Sequence, residues 1–584
     1  MLIRNEEDLL IAKGDILSSD RVSCDTETTG LSQDDRLFAI IFGTKYETYY
    51  IDKRVYWDTA AIAQLLEHNC EWIFQNAKFD LRMLKHEGLE PRGIVRDLEV
   101  LARLVNNSHF LYSLEAIGAR RGLPKSEEVI KYITKNKLYT DVPLIYSKGE
   151  SRKLHFDKVP TDIMQSYAER DARITYDLYD IEHNELDERS YDLFDSESML
   201  TKVCARMEER GVHINVDYTK KALEYESGIV SSAKNRFEQM HGVPYSESKG
   251  VLVPILQSEG LEIPKTAKGN FSLTDEILEG FNSNTAKIVQ EVRHYEKRIS
   301  TYYTAFLESL SSDGRLHPDM RQAGTTTGRF SYRDPNLQNV PKEDDEEDAT
   351  KPFLVRGCIQ PSPGNILVSL DYSQQEYRLM LAYADEQRLI RKVMDGEDLH
   401  QATADLVGVT RKHAKTLNFA ILYGAGVDKI ATMLGISSRA ARDLRDKYFS
   451  RLPKVESFIS KAIRTSRARG HLYNWAGRKL LTGGRDFAYK LPNHLIQGGG
   501  ADICKKAMIE IDKILPKENY PMILQVHDSL TFDMHPSQLH LVEPIRDIMN
   551  NVFPMKNGMK IIVDIEASTK SLAAKDQEPW EKFQ

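Results

Sequence analysis

The chain has 584 residues, 41% apolar and 28% charged, with 79 Lys and Arg against 87 Asp and Glu, a net charge of −8. At roughly 150 residues per domain this length accommodates about four folding units, and the composition excludes collagen-like, disulfide-scaffold and wholly disordered classes. Taken alone, the mild acidity argues against a nucleic-acid binder. Cys24, Cys70, Cys204, Cys358 and Cys504 stand far apart with no CxxC or CxxH spacing. Neither zinc nor a disulfide framework is indicated, and so few cysteines fit a reducing compartment. The opening MLIRNEEDLL is too charged for a signal peptide, and no apolar run has membrane-spanning length. The expected location is the cytoplasm, with no membrane partner.

Residues 1–115 read as alternating strands and helices. RVSCDTETTGL, LFAIIFGT and YETYYID have strand composition, and helical spacing begins at Tyr167 and runs to about Glu185. Residues 196–310 are helical in pattern and highly charged, which suits an elongated arm, with KTAKGNFS (265–272) as a loop inside it. Residues 315–341 are rich in Thr, Gly, Asn and Pro and read as irregular. EDDEED (343–348) reads as a solvated acidic loop. GNILVSLDYS (364–373) is a strand ending at a carboxylate, and 386–465 is strongly helical. MILQVHDSLTFDM (522–534) suggests two strands around a tight turn, and KIIVDIEAS (560–568) a late strand.

Asp25 and Glu27 lie two apart on a predicted strand, so both carboxylates face one way. A single DxE is usually a solvated strand end. Here Asn76-Ala-Lys-Phe-Asp80 supplies a third acid, and Tyr167 and Asp171 share a helical face at i, i+4. Four acids can hold two Mg²⁺ ions, with Tyr167 orienting water for phosphodiester hydrolysis. DTET, NAKFD and YAERD, in that order, resemble the three motifs of the DEDD superfamily of 3′–5′ exonucleases, in the tyrosine-bearing subclass. The resemblance implies that Asp25, Glu27, Asp80 and Asp171 are metal ligands and that Tyr167 positions water.

The second half carries three further motifs. An apolar strand delivers Asp371, although a strand-end Asp alone is normally a cap or turn former. Arg411, Lys415, Phe419 and Tyr423 are four apart, one slowly spiralling stripe on a helix. Its twelve residues rise about 18 Å, close to the reach of a nucleoside triphosphate from γ-phosphate to base. Thr410 is an N-cap candidate, which puts the cations in the first turns, where the helix dipole favours anions. Gln525-Val-His527-Asp528 offers a second acid that would meet Asp371 across a sheet and share two Mg²⁺ ions.

Together these resemble motifs A, B and C of the family A, polymerase I-like DNA polymerases. Thr327-Gly-Arg329-Phe, Asp334-Pro-Asn-Leu-Gln338-Asn-Val-Pro, Asp398-Leu-His400-Gln-Ala-Thr-Ala, the Asn493 to Asp502 segment and Met207-Glu-Glu-Arg-Gly-Val-His-Ile resemble flanking segments of that family. The resemblance implies an α/β exonuclease domain with a mixed, RNase H-like sheet (1–190). A right-hand polymerase domain follows (191–584), with an α+β palm (about 311–385 and 491–584), a helical thumb (about 196–310) and fingers (about 386–490). It implies that Asp371, Asp528 and the Tyr372 carbonyl hold two Mg²⁺ ions, Mn²⁺ being a possible substitute. Arg411, Lys415 and His400 would then contact the triphosphate, with Lys415 as proton donor to pyrophosphate. Phe419 would lie beside the sugar, Tyr423 beside the templating position, and Glu376 against a ribose 2′-hydroxyl. Arg329, Gln338, Asn493, Gln497 and His527 would touch DNA, in the minor groove or at the primer terminus. Such contacts test base-pair shape without reading sequence.

Departures from the family pattern are Ser529 after Asp528, where Glu is usual, Gln401 after His400, where Arg is usual, and QGGGAD for the commoner QGTAAD. The acidic segment 343–348 looks like an insertion. Nothing precedes the exonuclease motifs, a layout expected of a compact, phage-like enzyme without a 5′-nuclease domain. The expected activity is template-directed DNA synthesis with 3′–5′ proofreading, by a monomer acting on primer–template, dNTPs and a single-stranded 3′ end, with replisome partners unspecified. The alternatives are an exonuclease whose polymerase-like half only grips DNA, and a non-catalytic binder. A single-subunit RNA polymerase shares the three-motif logic, but Glu376 and the exonuclease motifs favour DNA. Residues 411–490 hold 18 Lys and Arg against 5 Asp and Glu, a local +13 within a chain of −8. The overall acidity therefore averages over a polarised molecule and does not exclude a nucleic-acid enzyme.

Overall fold

β-branched and aromatic runs make the N-terminal sheet. The computed structural model describes residues 1–143, 150–266, 268–341, 351–555 and 557–584. The acidic run 343–348 lies outside the described residues. Strand β1 (Arg21–Thr28) is central. It pairs antiparallel with β2 (Leu37–Gly43), which pairs antiparallel with β3 (Thr48–Asp52). On its other side β1 runs parallel to β4 (Glu71–Phe74), and β4 to β5 (Ile94–Asp97). The result is the expected mixed five-stranded sheet. Every residue of β2 is buried, because the long helix α2 (Thr161–Glu185) packs across β1, β2 and β3.

Helix α1 (Ala77–His86) starts at Asn76, whose φ of 63° is left-handed, a conformation Asn tolerates better than most residues. Asp97, at the end of β5, caps this start from outside. Its carboxylate accepts the N–H groups of Asn76 (3.2 Å) and Ala77 (2.9 Å). Asp80 is thereby fixed in the first turn of α1.

Helix α3 (Tyr191–Arg210) departs from the sequence reading. Its charged pattern suggests the base of an exposed arm, yet it packs between the N-terminal unit and the C-terminal half. Its charges are paired on both sides. Toward the N-terminal unit, Glu208 meets Lys78 of α1 at 2.5 Å, Asp195 meets Arg96 at 2.7 Å and Glu209 meets Lys85 at 2.5 Å. Toward the C-terminal unit, Arg206 meets Asp512 at 2.6 Å and Arg210 meets Asp533 at 3.1 Å. Glu197, 1% exposed, accepts from Lys505 Nζ at 2.5 Å, from Gln322 at 2.8 Å and from Arg478. Arg478 also pairs with Asp502 at 2.6 Å.

The arm proper is α4 (Val216–His241) and α5 (Asn284–Arg298), with a small core of its own around Phe237, Leu252 and Val289. Its base is pinned by Arg298, which donates to the buried Glu226, with the Tyr303 hydroxyl on the same carboxylate at 2.8 Å.

The second sheet consists of β6 (Ile366–Tyr372), β7 (Met522–Val526), β8 (Ser529–Met534), β9 (Val563–Ser568) and β10 (Glu578–Pro579), in the order β7-β8-β6-β9-β10. Between β6 and β7 the chain makes a helical excursion through α6 (Gln375–Ala384), α7 (Leu399–Val407), α8 (Arg411–Leu422) and α9 (Ser438–Arg451), and returns along α10 (Leu491–Ile514). The glycines of QGGGAD lie on α10 where neighbours press close. A Cβ at Gly498 would stand 2.7 Å from the Thr327 carbonyl oxygen, and one at Gly500 2.5 Å from Gln375 Oε1. Only glycine fits there without movement. No helix among the described residues is long and apolar enough to cross a membrane.

The Glu197 cluster generates a stability prediction. Burial opposes its ionisation, but Lys505 and Arg478 hold its carboxyl below the ordinary glutamate range. Glu197→Ala leaves buried cations under-compensated and should cost about 3–5 kcal/mol, read as a lower midpoint of denaturant unfolding. The wild-type contribution is full above the ordinary value of 4.5 and is lost as pH falls through the depressed one. The gap between wild type and variant should therefore close in acid. An unchanged midpoint at pH 7 would show that the cluster does not hold α3 to the C-terminal unit.

Candidate active sites

The first cluster forms where β1 faces α1 and α2. Asp25 and Glu27 project from one face of β1, with Asp80 on α1 and Asp171 on α2. Glu27, Asp80 and Asp171 are buried. Burial and the nearby Asp171 push Asp25 up to about 7, and Glu27, Asp80 and Asp171 are also raised, by burial before any other cause. Tyr167 hydrogen-bonds Asp171, as its i, i+4 spacing requires. Thr26 Oγ1 donates to Asp80 at 2.6 Å.

Sequence reasoning missed a cation here. Lys125 Nζ lies 2.6 Å from Asp171 Oδ2 and 5.2 Å above the Tyr167 ring, and its charge also acts on Asp25 and Glu27. It stands alone in LPKSEEV, 46 residues before Asp171, and no local motif marks it. Asp171 Oδ1 is buried without a hydrogen-bond partner. With Asp80 engaged by Thr26 and Asp171 by Lys125, no three acid, His or Cys side chains among the described residues converge in ligating geometry. Four crowded carboxylates, one of them with an unbonded oxygen, nevertheless make a donor set that a hard divalent cation fits, and the Lys125 ammonium offsets part of their charge.

The second cluster lies at the end of the central strand of the second sheet. Asp371 on β6 pairs with Ser529 on β8 and with Asp564 on β9, so the three side chains share a face. Asp564, inside KIIVDIEAS, is an acid the motif reading passed over, and it lies across the strand from Asp371 where Ser529 lacks a carboxylate. Asp528 sits in the two-residue turn between β7 and β8, after His527 with φ 55°. The turn is tied at several points. Tyr372 N–H donates to the Asp528 carbonyl at 3.2 Å, and Ser529 Oγ to the Val526 carbonyl at 2.9 Å. Gln338, expected at DNA, spends its amide on this turn: it donates to the Gln525 carbonyl at 2.8 Å and accepts from His527 N–H at 3.1 Å. Burial and the adjacent Asp371 push Asp528 up to about 8, with a hydrogen bond between the two carboxyls. Such a pair needs either a proton or a cation, and a divalent ion fits. The Tyr372 side chain is buried, its hydroxyl 3.1 Å from the Met549 carbonyl oxygen.

Thr410 caps α8 as expected, and Arg411, Lys415, Phe419 and Tyr423 are all exposed along it. The Phe419 and Tyr423 rings are stacked, 6.4 Å apart at 13°. Arg411 forms a two-point pair with Asp398, both contacts at 2.9 Å. Tyr423 donates to Glu376 Oε2 at 3.0 Å, and Arg329 pairs with the other carboxylate oxygen. Arg329, expected in a minor groove, thus has an internal partner. Asn493 donates to the Leu422 carbonyl at 3.2 Å, fastening the end of α8 to α10. Gln497 lies one turn further along α10, half-buried, and His400 is buried on α7.

Residues 219–572 match the model of DNA polymerase family A, and residues 2–187 that of the 3′–5′ exonuclease. DNA polymerase I of Borreliella burgdorferi is 27% identical over 90% of this chain and 60% of its own length. DNA polymerase of Mycobacterium phage L5 is 27% identical over 88% of this chain and 87% of its own. DNA polymerase DpoZ of Salmonella phage PMBT28 is 25% identical over 88% and 90%. This chain therefore spans about three fifths of the bacterial relative but most of each phage relative. The POL domain of Pol1 from M. smegmatis, solved in complex with DNA primer-template and dNTP, shares the fold with a TM-score of 0.81 at 22% identity, over 98% of this chain and 99% of that one. With the family model matched over residues 219–572 and the 3′–5′ exonuclease model ahead of it, the chain belongs to DNA polymerase family A.

Proposed function

We propose that this chain extends a primer 3′ end with dNTPs under template direction and trims mispaired 3′ ends at its N-terminal unit. The observation that carries this reading is the pair of separate acid clusters, each built on the central strand of a sheet, with the cation–aromatic face of α8 on the same half as Asp371 and Asp528. In the polymerase site Asp371, Asp528 and the Tyr372 carbonyl would hold Mg²⁺. In the exonuclease site Asp25, Glu27, Asp80 and Asp171 would do so. When bound, the ions lower the pKa of the attacking hydroxyl or water and neutralise charge on the departing group.

The chain's own residues do the rest. Arg411 exchanges Asp398 for triphosphate oxygens, and Lys415 stands one turn on, exposed, to bind phosphate and deliver a proton to pyrophosphate. Phe419 offers a face to the sugar and base. Glu376 fills the space a 2′-hydroxyl would need, and Tyr423, tied to Glu376, covers the templating position until a base arrives. Asn493, Gln497, Arg329 and His527 line the duplex side, while Gln338 acts by holding the Asp528 turn. In the exonuclease unit Tyr167 orients the attacking water, and Lys125 keeps Asp171 ionised. The domain limits 1–190 and 191–584 are our division, with α3 as the shared wall. The chain is proposed to act as a monomer in the cytoplasm.

With Mg²⁺, primed template and four dNTPs, the purified chain should lengthen the primer, and EDTA should stop both extension and trimming. Asp371→Asn should lower extension by on the order of 10³-fold or more while sparing 3′ trimming. Asp25→Ala with Glu27→Ala should do the reverse. Loss of both activities from either change would refute two independent sites. Glu376→Ala should raise ribonucleotide incorporation, measured as alkali-labile product, and unchanged discrimination would remove its steric role. Lys125→Met should slow trimming and lower the thermal midpoint more in EDTA than in Mg²⁺, because the ion takes over the ammonium's neutralising role. An equal shift in both buffers would contradict that role.

A further inference from the structure

His400 belongs to a buried chain of hydrogen bonds whose direction can be read without seeing a proton. Thr403 Oγ1 donates to the Leu399 carbonyl at 2.9 Å within α7, so toward Asn418 it can only accept. The Asn418 group facing it at 3.3 Å must then be the Nδ2 amide, and that same Nδ2 lies 3.1 Å from His400 Nδ1. The amide oxygen faces the Tyr377 hydroxyl, which donates to it at 2.9 Å. Having spent its proton there, Tyr377 accepts from Tyr448, 2.8 Å away. The donors run one way, from Tyr448 on α9 through Tyr377 on α6 and Asn418 on α8 to His400 on α7. Asn418 and Tyr448 are wholly buried, and Tyr377 and His400 nearly so. His400 Nδ1 receives an N–H and therefore carries none.

We infer that Asn418 is a positioning residue that fixes His400 as the neutral Nε2–H tautomer, a one-proton hydrogen-bond donor to the triphosphate and not a cation or proton source. This rests on the polymerase reading above and deepens it at the same site. The inference follows from geometry, since a proton on Nδ1 would face an amide proton at Asn418. Turning that amide would set its oxygen against Thr403 Oγ1, whose proton is already given to the Leu399 carbonyl. The surrounding charges agree. Burial disfavours the imidazolium, as do Arg411 and Lys415 of α8, while Asp398 at the start of α7 opposes them. Tyr377 of α6 and Tyr448 of α9 complete the surround, with Glu386 acting on both tyrosines. Proton delivery to pyrophosphate is thereby left to Lys415, and His400 contributes a directional contact that does not change across neutral pH.

Two measurements on the full chain test this. In a long-range ¹H–¹⁵N spectrum of histidine-labelled protein, the signal lost in His400→Ala should show the neutral Nε2–H pattern and should not titrate between pH 8 and pH 6. An Nδ1–H or charged pattern overturns the inference whatever the extension assay gives. In primer extension, Asn418→Leu should raise the dNTP KM roughly 10–100-fold, the worth of one hydrogen bond to a charged group, with kcat changed less and trimming at the exonuclease unit intact. If Asn418 acts through His400, Asn418→Leu with His400→Ala should cost no more than His400→Ala alone. Asn418→Asp, which can accept a proton from Nδ1, should add a titration to kcat/KM that disappears in Asn418→Asp with His400→Ala. Fully additive losses, or no new titration, overturn it. A wild-type chain that fails to extend any primer refutes the polymerase reading, and the spectrum still decides the tautomer.

Discussion

Everything in this molecule leans on the charges of α3 being neutralised from two directions. Asp195, Glu208 and Glu209 pair with the first unit, and Glu197, Arg206 and Arg210 with the second. A charged helix buried without such partners would cost several kcal/mol per ion. The helix is therefore stable only where both units are folded against it. Removing one partner of a buried pair leaves its charge stranded, so each half penalises loss of the other's contact with α3.

The two acid clusters meet the same electrostatic demand by different means. In the first unit the carboxylates come from three elements, and Lys125 supplies part of the compensation from within the protein. In the second, Asp371 and Asp528 come from one sheet. They share a hydrogen bond, and a turn braced by Gln338, Tyr372 and Ser529 keeps them facing. The first is a site with an internal counter-ion. The second is a site whose turn is braced from several sides.

Local periodicity made most of this legible. The strands at 21–28, 37–43 and 48–52, the hairpin around His527-Asp528, the Thr410 cap and the exposed stripe 411, 415, 419 and 423 all follow from spacing and turn chemistry alone. What escaped were partnerships across long separations. The place of α3 depends on ion pairs to residues more than 300 positions away, such as Arg206 with Asp512, so its pattern resembles a solvated face. Lys125 and Asp564 carry no motif, and only folding brings them to the acids. Gln338 and Arg329 were legible as important residues but not as internally bonded ones, because a polar side chain in a motif does not reveal which way it turns.

The glycine run at 498–500 has a further consequence. With no side chains there, the Thr327 carbonyl and the Gln375 amide lie directly against the backbone of α10. The loop bearing Arg329 and the helix bearing Glu376 are thus measured from one common surface, and the tolerance of that seam is smaller than a methyl group. Drift in either element would be transmitted through this seam to the other, so Arg329 and Glu376 would shift together.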